Sequence, residues 1–163
     1  LHNLGFKGRG MAIAVIDGGF YNADAVKLLQ NVKIEGTRNF VNSFDVFGES
    51  DHGLKVLSCM AANEPNVMVG TAPEASYWLL CSEDSDSECL AEEDYWAAAV
   101  EFADSVGVDI VNTSLGYSSF DDKNTSYIYS QLDGRSSLIS KSASMAADKG
   151  MVVVCSAGKQ GKK

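Results

Sequence analysis

The chain has 163 residues, of which 45% are hydrophobic and 21% are charged, and this fits one globular domain with a sizeable core. Its formal net charge of −9 and sequence pI near 4.6 argue against a nucleic-acid-binding surface, which needs a basic face. No apolar run approaches the roughly 20 residues that cross a bilayer, so we expect no membrane contact. Most of the acidic excess lies at 83–88 and 92–94, a block that is typical of a solvated loop and a helix start.

The N-terminal residues do not resemble a signal peptide and the first residue is not Met, so we expect a mature or excised segment. The four cysteines have no CxxC spacing, which argues against a cysteine metal site. Cys81 and Cys89 flank the acidic block and could form a disulfide in an oxidising compartment. Cys59 and Cys155 fall in apolar stretches and are predicted to be small core residues.

A run of small and branched apolar residues, Ala12–Ile16, predicts a buried parallel strand that ends at Asp17. A carboxylate there lies at the carboxyl edge of the sheet, where open α/β folds gather functional groups, although it could equally be a turn residue at the strand exit. Further along the chain, the pattern predicts a short helix at 22–30, a weakly alternating segment at 32–41, a helix at 52–63 with Asp51 as its cap, a strand at 75–81, a helix at 92–106, a strand at 109–113, a helix at 136–149 and a strand at 151–155.

Strands and helices therefore alternate, and this order predicts an α/β fold with a mostly parallel sheet and helices on both faces. We see no internal repeat and no domain boundary within 1–163.

Five short motifs follow one another in the order and at the approximate spacings of the subtilisin-like serine protease family, which the chain resembles over nearly its whole length. They are Ala14-Val15-Ile16-Asp17-Gly18-Gly19, Asp51-His52-Gly53 with Val56, Gly70-Thr71-Ala72-Pro73, Asn112-Thr113-Ser114-Leu115-Gly116, and Ser156-Ala157-Gly158. Each motif alone is weak evidence for the family, whereas the five motifs in this order are specific evidence for it. The resemblance implies the N-terminal part of a three-layer α/β/α catalytic domain, truncated after the strand that leads to Ser156.

By this resemblance His52 is the general base of a triad and Asp17 orients it. A serine hydroxyl is a poor nucleophile until an imidazole takes its proton, and a buried carboxylate holds that imidazole in one tautomer. Ser114, Leu115 and Gly116 would bind an extended peptide through their backbone. Without the family, a histidine at a helix start is more often a capping or exposed residue, and 114–116 a tight strand exit.

Two departures from the family pattern concern activity. The family's nucleophile lies in Gly-Thr-Ser-x-Ala downstream of Ser156-Ala157-Gly158, and no such motif is present. Ser144 lies in a superficially similar stretch, but that stretch precedes Ser156 and lacks Gly-Thr, so we predict a structural role for Ser144. At the oxyanion-hole position the family has asparagine and this chain has Lys159. Losing that donor costs about 10²- to 10³-fold in rate, a value that comes from a member of this family.

We therefore expect part of a secreted serine endopeptidase that acts on peptide or protein substrates through an acyl-enzyme, with Asp17 and His52 in this chain and the nucleophile elsewhere. The chain alone is expected to be inactive. Alternatives are an inactive fragment that binds peptides or a complementing chain, with self-association through its uncovered face, and a phosphotransfer domain with Asp17 as nucleophile. The last lacks acidic residues at 18–20 to help hold a metal. Structural calcium is possible in the full-length domain, but no loop identifies a site.

Overall fold

The computed structural model describes residues 1–158. Its strands and helices are β1 (Ala12–Asp17), β2 (Lys33–Asn39), α1 (His52–Ala61), β3 (Asn63–Glu64), β4 (Met68–Val69), β5 (Ser76–Cys81), α2 (Ala91–Ser105), β6 (Ile110–Thr113), α3 (Leu138–Asp148) and β7 (Val152–Cys155). Single 3₁₀ turns lie at His2–Leu4, Lys27–Leu29, Val46–Gly48 and Tyr129–Gln131. The predicted strands at 12–17, 75–81, 109–113 and 151–155 are all present.

Five strands form one sheet in the order β2-β5-β1-β6-β7, and each neighbouring pair is parallel. The remaining two strands, β3 and β4, form a small antiparallel hairpin. Because β1 lies at the centre, Ile13–Asp17 are buried on both faces, which explains their nearly continuous apolar run. The mostly parallel α/β fold that the sequence predicts is confirmed.

Successive side chains of β1 point to opposite faces and enter two separate cores. Ala14 and Ile16 pack with α2 and α3, whereas Ile13 and Val15 pack with α1. Helices therefore cover both faces of the sheet. No helix within residues 1–158 is long and apolar enough to span a bilayer.

The helix predicted at 22–30 is wrong, because this segment forms turns with one 3₁₀ turn at Lys27–Leu29. Its backbone leaves the helical region twice, at Asn22 with φ 60° and at Val26 with ψ 126°. The apolar spacing is satisfied without a helix, since Ala23 and Leu29 are buried as turn residues against the α1 face of the sheet.

The core positions predicted for Cys59 and Cys155 are also wrong, because both side chains are exposed. The buried face of α1 consists of Gly53, Leu57 and Ala61. Cys59 lies off that face. Cys155 is on β7, which among residues 1–158 pairs only with β6, at one edge of the sheet.

The start of α1 lies against the end of β1. The Gly53 N–H donates to the Gly19 carbonyl oxygen at 3.0 Å. A Cβ at position 53 would lie 2.3 Å from that oxygen and 2.8 Å from the Phe20 ring, so only glycine permits this approach. Asp51 holds the predicted cap position, but its side chain makes no capping bond and pairs with Lys55 instead.

The other end of α1 is fixed by the Gly70-Thr71-Ala72-Pro73 turn. The Thr71 and Ala72 N–H groups donate to the carbonyl oxygens of Cys59 and Met60, which the helix itself leaves unpaired. A Cβ at Gly70 would lie 2.3 Å from the Met60 backbone. Both ends of α1, and hence the position of His52, are thus set by close backbone contacts.

We predict that Gly53→Ala separates α1 from β1. Its methyl group meets a carbonyl oxygen and an aromatic ring that cannot move cheaply, so we expect a loss of about 1–3 kcal/mol in the free energy of unfolding, measured by urea denaturation.

Gly48→Ala is the matched control, because a Cβ at Gly48 meets nothing within 4 Å. We expect it to change stability by less than about 1 kcal/mol. Equal losses in the two variants would contradict the role of the close contact.

Candidate active site

The structure brings Asp17 and His52 together. Asp17 is the last residue of β1, and His52 is the first residue of α1. The Nδ1 atom of His52 lies 2.7 Å from Oδ1 of Asp17, a short hydrogen bond. An ionised carboxylate only accepts, so Nδ1 carries the hydrogen and Nε2 is left with its lone pair.

Asp17 is fully buried, and burial raises the pKa of its carboxyl despite the opposing hydrogen bonds from His52 and the Gly18 N–H. The Gly18 N–H donates to Oδ1 at 2.9 Å, so both recorded bonds go to one oxygen. The other oxygen, Oδ2, is buried and has no partner within residues 1–158. Oδ1 therefore accepts two hydrogen bonds, whereas Oδ2 can still accept a hydrogen bond.

His52 presents its other ring nitrogen outward. Its side chain is 53% exposed, and Nε2 makes no hydrogen bond to any residue that the structure describes. The pair can thus take a proton at Nε2 from an incoming hydroxyl group and stabilise the resulting imidazolium through the buried carboxylate.

Ser144 is an exposed residue of α3, and its Oγ donates to the Ser140 carbonyl oxygen at 3.1 Å. This bond within one helix is a common arrangement for a helical serine and agrees with the structural role that we predict.

The residues predicted to bind a peptide leave the sheet beside Asp17. Ile16 of β1 pairs with Thr113 of β6, so Ser114, Leu115 and Gly116 follow at the same carboxyl edge. Leu115 is buried, while Gly116 is exposed. Ser156-Ala157-Gly158 follows β7 at this edge and is exposed, with Ser156 N–H donating to Thr113. Lys159, the predicted oxyanion-hole position, lies outside the described residues.

Glu83 is a further residue of this edge, and the sequence analysis did not identify it. It follows β5, which neighbours β1, and Cys81 is in register with Asp17. Its Oε2 atom lies 2.6 Å from the point where a Cβ of Gly18 would be, so the carboxyl group covers the backbone directly after Asp17. Burial and the nearby negative charges raise the pKa of Glu83 to about 7. Its position two residues after a strand was the available signal.

The solvated loop and helix start predicted for 83–88 and 92–94 is wrong for two glutamates, since Glu92 and Glu93 are buried. Glu92 accepts hydrogen bonds from the backbone of Asp84 and Cys89 and so folds the acidic loop around itself. Glu93 accepts from Tyr127 and from the backbone N–H groups of Leu138 and Ile139, and thereby caps α3 from α2. Both carboxylates thus have a structural role as hydrogen-bond acceptors for backbone N–H groups.

The possible disulfide between Cys81 and Cys89 is not formed, as both thiols are free. The Cys81 Sγ instead lies 3.5 Å from Oε2 of Glu49, and burial raises the pKa of this thiol to about 12. No cluster of three or more His, Cys, Asp or Glu side chains in the described chain is arranged to hold a metal ion.

We predict that Glu83 makes the protein less stable as the pH rises. The pKa of Glu83 is about 7 in the folded protein and 4.5 ordinarily, so the folded state holds this proton more tightly than the unfolded state. The contribution of Glu83 to the free energy of unfolding is therefore fully present below pH 4.5 and is lost as the pH rises through 7. Urea denaturation at pH 5 and pH 8 should show that Glu83→Gln reduces this loss.

Glu101→Gln on the exposed side of α2 is the control and should retain the wild-type pH dependence. If Glu83→Gln also retains it, Glu83 does not titrate near pH 7.

Among solved structures, the fold is similar to MycP1 with its N-terminal propeptide removed (TM-score 0.70, 22% identity, covering 99% of this chain and 47% of that one). It is also similar to a lanthipeptide protease (0.69, 18%, 98% and 43%) and to a mutant of the protease domain of PatA (0.67, 17%, 96% and 53%). The chain thus spans about half the length of these proteins, and at such identities the likeness shows the fold.

No curated protein sequence matches the chain. The model of the Subtilase family matches residues 8–163, which is nearly the whole sequence and includes both members of the Asp17–His52 pair. With a parallel α/β sheet that joins a buried aspartate to a histidine at its carboxyl edge, the chain belongs to the subtilase family.

Proposed function

We propose that this chain is part of a serine endopeptidase, in which His52 is the general base and Asp17 orients it. The observation that carries the proposal is the 2.7 Å hydrogen bond between His52 Nδ1 and the fully buried Asp17, with Nε2 turned toward solvent. This is the arrangement that activates a hydroxyl nucleophile, and membership of the subtilase family supports it.

In the proposed reaction, Nε2 of His52 takes the proton from the hydroxyl of a serine elsewhere in the complete protein while that oxygen attacks the peptide carbonyl carbon. The imidazolium that forms is held against Asp17. It then gives its proton to the departing amine, leaving an acyl-enzyme that water hydrolyses by the same steps.

The substrate is proposed to be a peptide in extended form that pairs with 114–116. These residues follow β6 without helix or strand structure, at the carboxyl edge that also holds Asp17. A peptide added there would present its carbonyl group toward the pair. We further propose a location outside the cytoplasm, which membership of the subtilase family supports, and structural calcium in the complete domain.

The test is labelling of the complete natural protein with a fluorophosphonate, followed by mass spectrometry of the labelled peptide. We expect one serine to be labelled. We expect kcat for hydrolysis of a peptide substrate to fall by about 10⁶-fold in His52→Ala, a value that comes from a member of this family, and by about 10⁴-fold in Asp17→Asn. The reason is that His52→Ala removes the base that takes the proton from the serine, whereas Asp17→Asn no longer holds the imidazole in the tautomer that can take it.

His2→Ala is the matched control, because His2 is the other histidine of the sequence and contacts Thr71 away from Asp17. It should label like the wild type. A complete protein that does not label, or labelling that survives His52→Ala, would overturn the proposal, and an unlabelled protein would favour the peptide-binding alternative.

A further inference from the structure

Glu83 lies against the backbone that directly follows Asp17. Its Oε2 atom is 2.6 Å from the point where a Cβ of Gly18 would be, so its carboxyl group fills the space that a side chain at position 18 would need. The strand that leads to Glu83 pairs with the strand that leads to Asp17, and the Ser82 N–H donates to the Asp17 carbonyl oxygen at 3.1 Å. Backbone pairing and a close contact therefore fix this carboxyl group one residue away from Asp17.

The carboxyl group of Glu83 has no partner of its own. It accepts no hydrogen bond from residues 1–158, and no lysine or arginine of that range forms an ion pair with it. Glu83 is half-buried, and its carboxyl oxygens, unlike Oδ2 of Asp17, are not sealed from solvent. A molecule at the surface can therefore reach this group and bind to it.

A second carboxyl group lies against the next residue, Gly19. The Cβ atom of Glu49 is 2.9 Å from the point where a Cβ of Gly19 would be. Glu49 is engaged, since its Oε1 accepts from Asn42 Nδ2 at 2.9 Å and its Oε2 lies 3.5 Å from Sγ of Cys81. Glu83 is therefore the carboxyl group of this edge that is available to a ligand.

Negative charge at this edge is not neutralised by any lysine or arginine of the described chain. Asp17, Glu49 and Glu83 make no ion pair with either residue type, and His52, when protonated, is the one cation within residues 1–158 that bonds to any of them. Oδ2 of Asp17 is buried without a partner in the same range. A cation beside Glu83 is thus attracted by several carboxylates, and in a half-buried position water screens this attraction less than at an open surface.

The extended peptide of the proposed function would run past this carboxyl group. The sheet order places the ends of β5, β1, β6 and β7 side by side, so 114–116 have Asp17 and Glu83 on one flank and the uncharged, exposed residues 156–158 on the other. Successive side chains of an extended peptide point to opposite sides. Alternate side chains of a peptide bound along 114–116 therefore face the flank that holds Glu83.

We propose that Glu83 determines substrate specificity by binding the positively charged side chain of a lysine or arginine within two residues of the cleaved bond. The ammonium or guanidinium group donates charge-assisted hydrogen bonds to the carboxyl oxygens of Glu83. Burial and nearby negative charges raise the pKa of Glu83 to about 7, as expected for a carboxyl group that lacks its cation. This role rests on the proposed function, because it names the class of peptide that the same site cleaves.

The experiment uses the complete natural protein at pH 8, where Glu83 is ionised. Cleavage of a peptide mixture, with products identified by mass spectrometry, should show lysine or arginine at one position within two residues of the cleaved bond. Two peptides that differ only in lysine or norleucine at that position are then compared. We expect kcat/KM to be at least about 10-fold larger for the lysine peptide, because norleucine has the same aliphatic chain without the ammonium group and leaves the carboxylate unpaired.

In Glu83→Gln the ratio of the two kcat/KM values should fall to about 1, since the amide carries no charge. Glu101→Gln is the matched control, because Glu101 is an exposed glutamate of α2, and it should keep the wild-type ratio. The ratio does not depend on how much of a variant is folded. A wild-type ratio near 1, as expected if the rest of the protein already supplies a cation to Glu83, would overturn the proposal. An unchanged ratio in Glu83→Gln, or an equal fall in Glu101→Gln, would also overturn it.

A binding measurement in His52→Ala needs neither hydrolysis nor replacement of Glu83. By fluorescence anisotropy we expect the lysine peptide to bind at least about 10-fold more tightly than the norleucine peptide, and by NMR we expect only the lysine peptide to shift the carboxyl carbon signal of Glu83. Equal binding, or no shift, would overturn the role of Glu83. Preferential binding of the lysine peptide to a protein that fluorophosphonate does not label would overturn the peptidase function alone, and labelling with equal binding would overturn the role of Glu83 alone.

Discussion

The contact between the start of α1 and the end of β1 determines the rest of the site. The Gly53 N–H···O=C Gly19 hydrogen bond, at 3.0 Å, brings the helix to within one carbonyl group of the strand. A side chain of any size at position 53 would hold the two apart, and the first residue of the helix could then no longer bond to the last residue of the strand. The His52–Asp17 hydrogen bond therefore depends on backbone packing, which places the two residues within bonding distance of each other.

A second constraint is the concentration of negative charge at one edge of an already acidic protein. Glu92 and Glu93 are buried, yet each receives backbone N–H donors that offset the loss of water. Asp17 receives only two donors, both at Oδ1, and Glu83 receives no cation in the described part of the chain. Asp17 Oδ2 and Glu93 Oε1 are both buried without a hydrogen-bond partner in the described chain, so the donors offset only part of the cost of burial in each case.

The family resemblance, and not a local pattern, related Asp17 to His52. Local patterns were sufficient for the strands at 12–17, 75–81, 109–113 and 151–155, whose apolar runs are local features, but not for the β3–β4 hairpin. Local patterns failed where the structure of a segment depends on contacts with residues distant in the sequence. The apolar spacing of 22–30 fits a helix, yet its residues are buried as turns. The burial of Glu92 and Glu93 depends on N–H groups of the 84–89 loop and α3. The position of Glu83 just after a strand is a local feature, but its packing on Gly18, 65 positions earlier in the sequence, is not.

The central position of β1 also bears on how the protein reaches its fold. Its backbone neighbours are distant in sequence: the Ser76 N–H donates to the Met11 carbonyl oxygen across 65 positions, and the Asp109 N–H donates to the Ala12 carbonyl oxygen across 97. On the ribosome, the most buried strand therefore emerges long before either partner, and its closure into the sheet is a late event of high contact order. Until then Ile13–Ile16 is a bare β-forming segment, open to pairing with other chains. The strand that positions the site is thus also the segment that most needs protection by a chaperone during synthesis.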